Sequence, residues 1–122
     1  MNLPNYIVFY VNNPKSSGEF YAKLFEGELQ YASDNYTIVM LKNGLKLGFW
    51  SNQDVRPQSD GVPGSTELFV TVDDQDAVER YFSLWKQWHV DILQEPTDMG
   101  FGYTFLGRCP DGNRLRVGCI FN

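Results

Sequence analysis

Histidine occurs once in this chain, as His89, and cysteine twice, as Cys109 and Cys119, with no Cys-x-x-Cys spacing. A bridge between the two cysteines is conceivable, but a chain of this length needs no staple, and free thiols in a reducing compartment are the expected state. Neither cysteine has a base beside it in sequence, and His89, in "KQWHVDIL", reads as a solvated helix-end residue. Basic charge is also scarce. Ten Lys and Arg against 15 Asp and Glu leave a net charge of −5, which argues against nucleic acid, since phosphate binding draws its affinity from clustered cations. A charged small-molecule partner would sooner be cationic than anionic. No apolar run approaches the ~18 residues of a membrane helix, and the start lacks a basic segment followed by an apolar one and a small-residue cleavage site. A soluble, unprocessed, cytoplasmic protein with no membrane partner is the expectation.

What is abundant is aromatic. Phe, Trp and Tyr make up 16% of 122 residues, more than one core of this size needs, and the surplus points to an aromatic-lined ligand cavity. The stretch "NYIVFYVNNPKSSGEFYAKLF", residues 5–25, is echoed by "TELFVTVDDQDAVERYFSLWK", in which Glu67 takes the place of Tyr6, Val72 of Val11, and Tyr81-Phe82 of Phe20-Tyr21. An internal repeat is the first organisation to test.

Tyr6 to Val11 is a strand by its β-branched and aromatic content. A helix is expected over about 15–26, with Phe20, Leu24 and Phe25 on one face and Gly27 ending it. Leu29–Ser33 supplies a further strand. "YTIVML" and "LKLGFW" follow as strands joined by "KNG", a strong hairpin signal. Residues 51–66 have turn composition and link the halves. A second strand–helix pair spans 67–72 and about 75–88, the helix opened by acidic residues, and then come "VDIL", "YTFLG" and "NRLRVGC", with the turn "CPDGN" before the last. Each half therefore reads βαβββ, an α+β class, as module 1 (residues 1–50) and module 2 (residues 67–122) of a single domain.

Paired βαβββ modules, the helix "FY" and the closing hairpin "PDGNRLRV" together resemble the vicinal oxygen chelate superfamily, which includes glyoxalase I, extradiol dioxygenases, fosfomycin-resistance enzymes and bleomycin-resistance proteins. The resemblance covers the whole chain. It implies a curved mixed sheet lining a cup, with helices on the outer face, and a homodimer. Period-2 alternation then divides the strands. Ile7, Phe9, Val11, Leu45, Leu47, Phe49, Leu68, Val70 and Val72 face helices. Tyr6, Val8, Tyr10, Lys46, Gly48, Trp50, Glu67, Phe69 and Thr71 face the cup. The last strand splits into Leu115, Val117 and Cys119 against Arg114, Arg116 and Gly118.

Metal enzymes of that superfamily hold a divalent ion at four cup positions, which the resemblance carries onto Tyr6, Gly48, Glu67 and Arg116. Glu67 alone is a conventional ligand; Gly48 has no side chain and Arg116 brings a fixed positive charge. No metal and no other cofactor is therefore expected. The residues favour a container: a protein that sequesters a planar aromatic, drug-like molecule, cationic where it is charged, in the manner of the bleomycin-resistance proteins. Its candidate ligand contacts are Tyr6, Tyr10, Trp50, Glu67, Phe69 and Arg116, with Phe101 and Tyr103 from "DMGFGYTF", Phe101 acting as a lid on a mobile loop. Trp85 and Trp88, on the second helix, read as packing or surface residues. Two alternatives stand beside this one: an enzyme with an atypical site using Tyr6 and Glu67 as acid and base, and a dimerising domain whose cup is filled by its own side chains.

Overall fold

The computed structural model describes residues 2–121, which run β1 (Tyr6–Val11), α1 (Pro14–Leu24), β2 (Glu28–Ala32), β3 (Tyr36–Met40), β4 (Lys46–Ser51), β5 (Glu67–Thr71), α2 (Gln75–Gln87), β6 (Asp91–Asp98), β7 (Gly102–Arg108) and β8 (Arg114–Ile120). The chain divides into two compact units, one ending at Gly64 and the other beginning at Ser65. Each is a βαβββ module with a four-stranded mixed sheet, in the order β1-β4-β3-β2 in the first and β5-β8-β7-β6 in the second. The sheet registers repeat as well. Tyr6 pairs with Lys46 across the parallel β1–β4 ladder, and Glu67 with Arg114 across β5–β8.

In the first unit Asn13 caps α1, its side chain accepting from the Ser16 N–H at 3.1 Å, and Pro14 occupies the first turn, where its missing N–H costs nothing. The helix buries the face of Pro14, Ser17, Gly18, Tyr21 and Leu24. Tyr21, fully buried, is the centre of that face, and Phe20 is only half-buried, so the apolar stripe is rotated one residue from the expected Phe20–Leu24–Phe25 set. The Tyr21 ring lies 4.9 Å from Phe49 and 5.9 Å from Phe9, a three-ring core that anchors α1 to the middle of the sheet. The helix also stops earlier than expected. Glu26, not Gly27, takes the left-handed conformation, at φ 52°, and the Gly27 N–H closes the end on the Ala22 carbonyl at 2.9 Å. Gly27 is needed for space: a Cβ there would stand 2.8 Å from a Val39 methyl.

In the second unit Asp74 caps α2 through the Ala77 N–H at 2.8 Å. Here Phe105 is the central ring, edge-on to Trp85 at 5.1 Å and to Phe82 at 5.4 Å. The end of α2 repeats that of α1, with exposed His89 at φ 60° and the Val90 N–H bonding the Trp85 carbonyl at 3.0 Å. Strand β6 is longer than "VDIL". It runs on through Pro96 as an edge strand with two register shifts, the setting in which a sheet tolerates proline. No helix among the described residues is long and apolar enough to cross a membrane.

Candidate functional site

One face of each sheet packs on its helix, and the other is open. On the open face of the first unit, β1 presents Tyr6, Val8 and Tyr10, all partly exposed, while Phe9 and Val11 point into the core. Strand β4 lies between β1 and β3. Leu47 and Phe49 are buried against the helix, which leaves Lys46, Gly48 and Trp50 for the open face. Strand β3 buries Thr37 and Val39 and so turns Tyr36, Ile38 and Met40 to the open side.

Three aromatic strands' worth of side chains meet there. Trp50 stands edge-on to Tyr36, with centroids 5.7 Å apart, and edge-on to Tyr10 at 6.4 Å. Tyr6 and Tyr36 reach toward each other over Gly48, and their hydroxyls share a 2.7 Å hydrogen bond. A Cβ on Gly48 would lie 2.6 Å from Tyr36 Oη and 2.8 Å from the Tyr6 ring. The two phenols thus occupy the space in which a metal-ligating side chain at position 48 would stand. Burial, and then the neighbouring Tyr6 phenol and its charge, push the Tyr36 hydroxyl well above the usual tyrosine range. The Lys46 ammonium lies 5.3 Å from the Tyr6 ring centroid, a cation–π geometry.

The open face of the second unit is charged where the first is aromatic. The Arg116 guanidinium forks onto Glu67, Nε donating to Oε2 at 3.1 Å and Nη2 to Oε1 at 3.4 Å, and Nη1 donates to Thr104 Oγ1 at 3.0 Å. Thr104 is fully buried and sits over Gly118, where an added Cβ would come 2.3 Å from the threonine methyl. Glu67 is therefore engaged as a hydrogen-bonded counter-ion, and a cation recruited to it would have to displace Arg116. Taken with Gly48 and its covering phenols, the residues at the four positions do not fit a divalent metal. Among the described residues no group of three or more His, Cys, Asp or Glu gathers in a way that would hold one.

Phe69 and Phe101 meet at 6.3 Å, tilted by 58°. Phe101 lies in a tight hairpin turn, with the Met99 N–H bonding the Gly102 carbonyl at 2.8 Å and Gly100 at φ 87°, and not in the open loop that a mobile lid requires. Tyr103 departs from its expected place. It shares the helix-side parity of Phe105, which packs on α2, and its hydroxyl donates to Glu79 of that helix at 2.5 Å, a bond that raises the Tyr103 phenol above its ordinary value. It does not join Phe69 and Arg116. Sequence reasoning missed Tyr36 and Thr104; extending the period-2 alternation to β3 and β7 exposes both, since each faces a cup-side residue of its neighbour strand, Tyr36 opposite Trp50 and Thr104 opposite Gly118.

A model of the Glyoxalase/Bleomycin resistance protein/Dioxygenase superfamily matches residues 3–117. The solution NMR structure of a protein from Agrobacterium tumefaciens is 37% identical, with TM-score 0.85 and all of both chains covered. A phenazine antibiotic resistance protein, EhpR of Enterobacter agglomerans, is 27% identical over 93% of this chain and 89% of its own. A glyoxalase-related enzyme from Fulvimarina pelagi shares the fold, with TM-score 0.77 at 17% identity over 98% of this chain and 88% of its own.

Proposed function

The chain belongs to the Glyoxalase/Bleomycin resistance protein/Dioxygenase superfamily, and from that premise we propose that it binds and sequesters a planar aromatic or heteroaromatic small molecule without a metal. The observation that carries this reading is the half-exposed wall of Trp50, Tyr10, Tyr36 and Tyr6 on one open sheet face. A flat ligand gains from such a wall twice, through apolar area removed from water and through ring contacts worth about 0.5–1.5 kcal/mol per pair. The similarity to a protein described as conferring phenazine resistance supports the same class, since phenazine is a flat three-ring heterocycle. On the second unit's own open face, Phe69 and Phe101 beside Arg116 and Glu67 are proposed as ligand contacts of that face; Tyr103 leaves the set because its hydroxyl is turned to α2.

Replacing Trp50 by Ala is expected to weaken binding of phenazine by about 1–3 kcal/mol, the loss typical of an aromatic anchor, with the far-ultraviolet circular dichroism unchanged. Calorimetry is the measurement, because Trp85 and Trp88 also emit and would blur tryptophan quenching. Equal affinity of parent and variant would sink the reading. We also propose a cytoplasmic homodimer, supported by the family resemblance and by the unpaired buried thiols Cys109 and Cys119, a state that a reducing compartment maintains. Light scattering at micromolar concentration should then return twice the 14.0 kDa chain mass.

A further inference from the structure

Resting on the binding reading above, we propose that the Tyr6–Tyr36 hydroxyl pair is the polar anchor of the aromatic wall and donates one hydrogen bond to a ring acceptor of the ligand. The ligand class narrows accordingly to neutral planar heterocycles or ring carbonyl compounds with an exposed nitrogen or oxygen lone pair at the edge.

Two phenols bring two protons. One is used in the 2.7 Å bond between them, and neither hydroxyl has another hydrogen-bond partner among the described residues. The second proton is thus available to something outside the chain. Tyr36 is the better buried of the two, and Tyr6 is 38% exposed. The arrangement that suits this difference has Tyr36 donating inward to Tyr6 Oη and Tyr6 presenting its own O–H to the open face. A phenol that already accepts a hydrogen bond is a stronger donor, because the two bonds polarise one another. The Lys46 ammonium against the Tyr6 ring withdraws electron density from the same phenol and disfavours a cation beside it. Burial and the neighbouring phenol hold the Tyr36 hydroxyl above the usual tyrosine range, so Tyr36 keeps the proton that the inward bond uses.

Geometry fixes the pair as well as chemistry. Gly48 holds open the space beneath the two rings, with Tyr36 Oη only 2.6 Å from where a Cβ would be, and Trp50 supports the Tyr36 ring from the side at 5.7 Å. A donor so placed discriminates between isosteres. A hydrocarbon that covers it leaves a polar group dry and unpaired, whereas a ring nitrogen satisfies it.

The test is a cycle of two ligands and three proteins. Phenazine and its all-carbon isostere anthracene are titrated with the full-length parent, Tyr6→Phe and Tyr36→Phe, anthracene being followed at nanomolar concentration by its own fluorescence. The ratio of the two dissociation constants cancels the greater hydrophobicity of anthracene when compared across proteins. The preference for phenazine is expected to fall about three- to tenfold in Tyr6→Phe, as for one neutral hydrogen bond, and by less in Tyr36→Phe, where the outward donor remains but is no longer oriented. Each variant removes a single oxygen from a side chain that is not fully buried, and the affinity for anthracene, retained or improved, reports that the wall is intact. An unchanged ratio in Tyr6→Phe with both ligands still bound overturns the anchor and leaves the sequestration reading standing. Failure of the parent to bind either compound overturns both.

Discussion

The two units place side chains at corresponding positions and close them with opposite chemistry. Tyr6 and Glu67 start equivalent strands in equivalent register, and Tyr36 and Thr104 sit across from Trp50 and Gly118 on the antiparallel side. In the first unit the result is a neutral pair of phenols over a glycine. In the second it is a guanidinium held between a carboxylate and a buried hydroxyl. The repeated backbone decides where groups converge, and the residue types decide what the convergence does. The neutral pair has a proton left over and can recognise something else. The charged cluster uses Arg116 at all three nitrogens on its own chain, so its first role is to hold the sheet face in one arrangement.

That contrast has a direct energetic consequence. Arg116→Ala removes the counter-ion of Glu67 and the partner of a fully buried Thr104 hydroxyl. Removing one member of a buried pair costs several kcal/mol, but the Glu67 side chain is 36% exposed and the Arg116 side chain 12%, so water screens part of the loss. A destabilisation of about 1–3 kcal/mol is expected by urea denaturation, whereas Tyr36→Phe, which breaks a neutral bond, should cost under about 1 kcal/mol. If the two losses were equal, the division into a structural cluster and a recognition pair would fail.

The phenol pair also carries a pH signature of its own. Tyr36 is held above the ordinary tyrosine value by burial first and by Tyr6 second, so the folded state retains a proton that the unfolded state releases near pH 10. Folding therefore binds more protons above that pH, and the stability it contributes, fully present below pH ~10, is lost as pH rises toward the folded value. Ultraviolet titration of the seven tyrosines should show late phenols, Tyr36 and Tyr103 among them, and Tyr36→Phe should remove its share of that late component while the Tyr103 share remains.

Much of this architecture is legible in the sequence because it depends on period. Alternation along Tyr6–Val11 and Lys46–Ser51 sorts core from open face correctly at Phe9, Val11, Leu47 and Phe49, and the repeat carries the same sorting into the second unit. Trp50, Tyr6, Glu67 and Arg116 follow from that sorting. What period does not carry was missed. The parity of Tyr103 follows β7, which begins only at Gly102, whereas Phe101 still belongs to the turn before the strand, so alternation does not relate the two rings. The partners Tyr36 and Thr104 lie on third strands, more than ten residues from the groups they bond, and only the ladder brings them together. Gly27 reads as a helix stop because glycine commonly takes a left-handed φ; its actual constraint is the Val39 methyl, and Glu26 takes the left-handed conformation instead.

The helix ends offer the smallest effect and the sharpest check that the units repeat in energy as well as in shape. Glu26 and His89 occupy the same position after α1 and α2, at φ 52° and 60°, and both are exposed. Neither side chain is glycine or asparagine, so each backbone carries a left-handed penalty of about 1–2 kcal/mol. Glycine removes that penalty and costs roughly 0.5–1 kcal/mol in unfolded-chain entropy. Glu26→Gly and His89→Gly are each expected to stabilise the protein by about 0.5–1 kcal/mol, and the double variant to gain the sum, since the two sites follow different helices in different units. Glu26 also gives up a 3.4 Å ion pair with Lys42, in which both side chains are more than three-quarters exposed, so that loss subtracts little. Thermal or chemical denaturation of the two single variants measures the comparison. A gain at His89 without one at Glu26 would show that the exposed ion pair contributes more than its solvation allows.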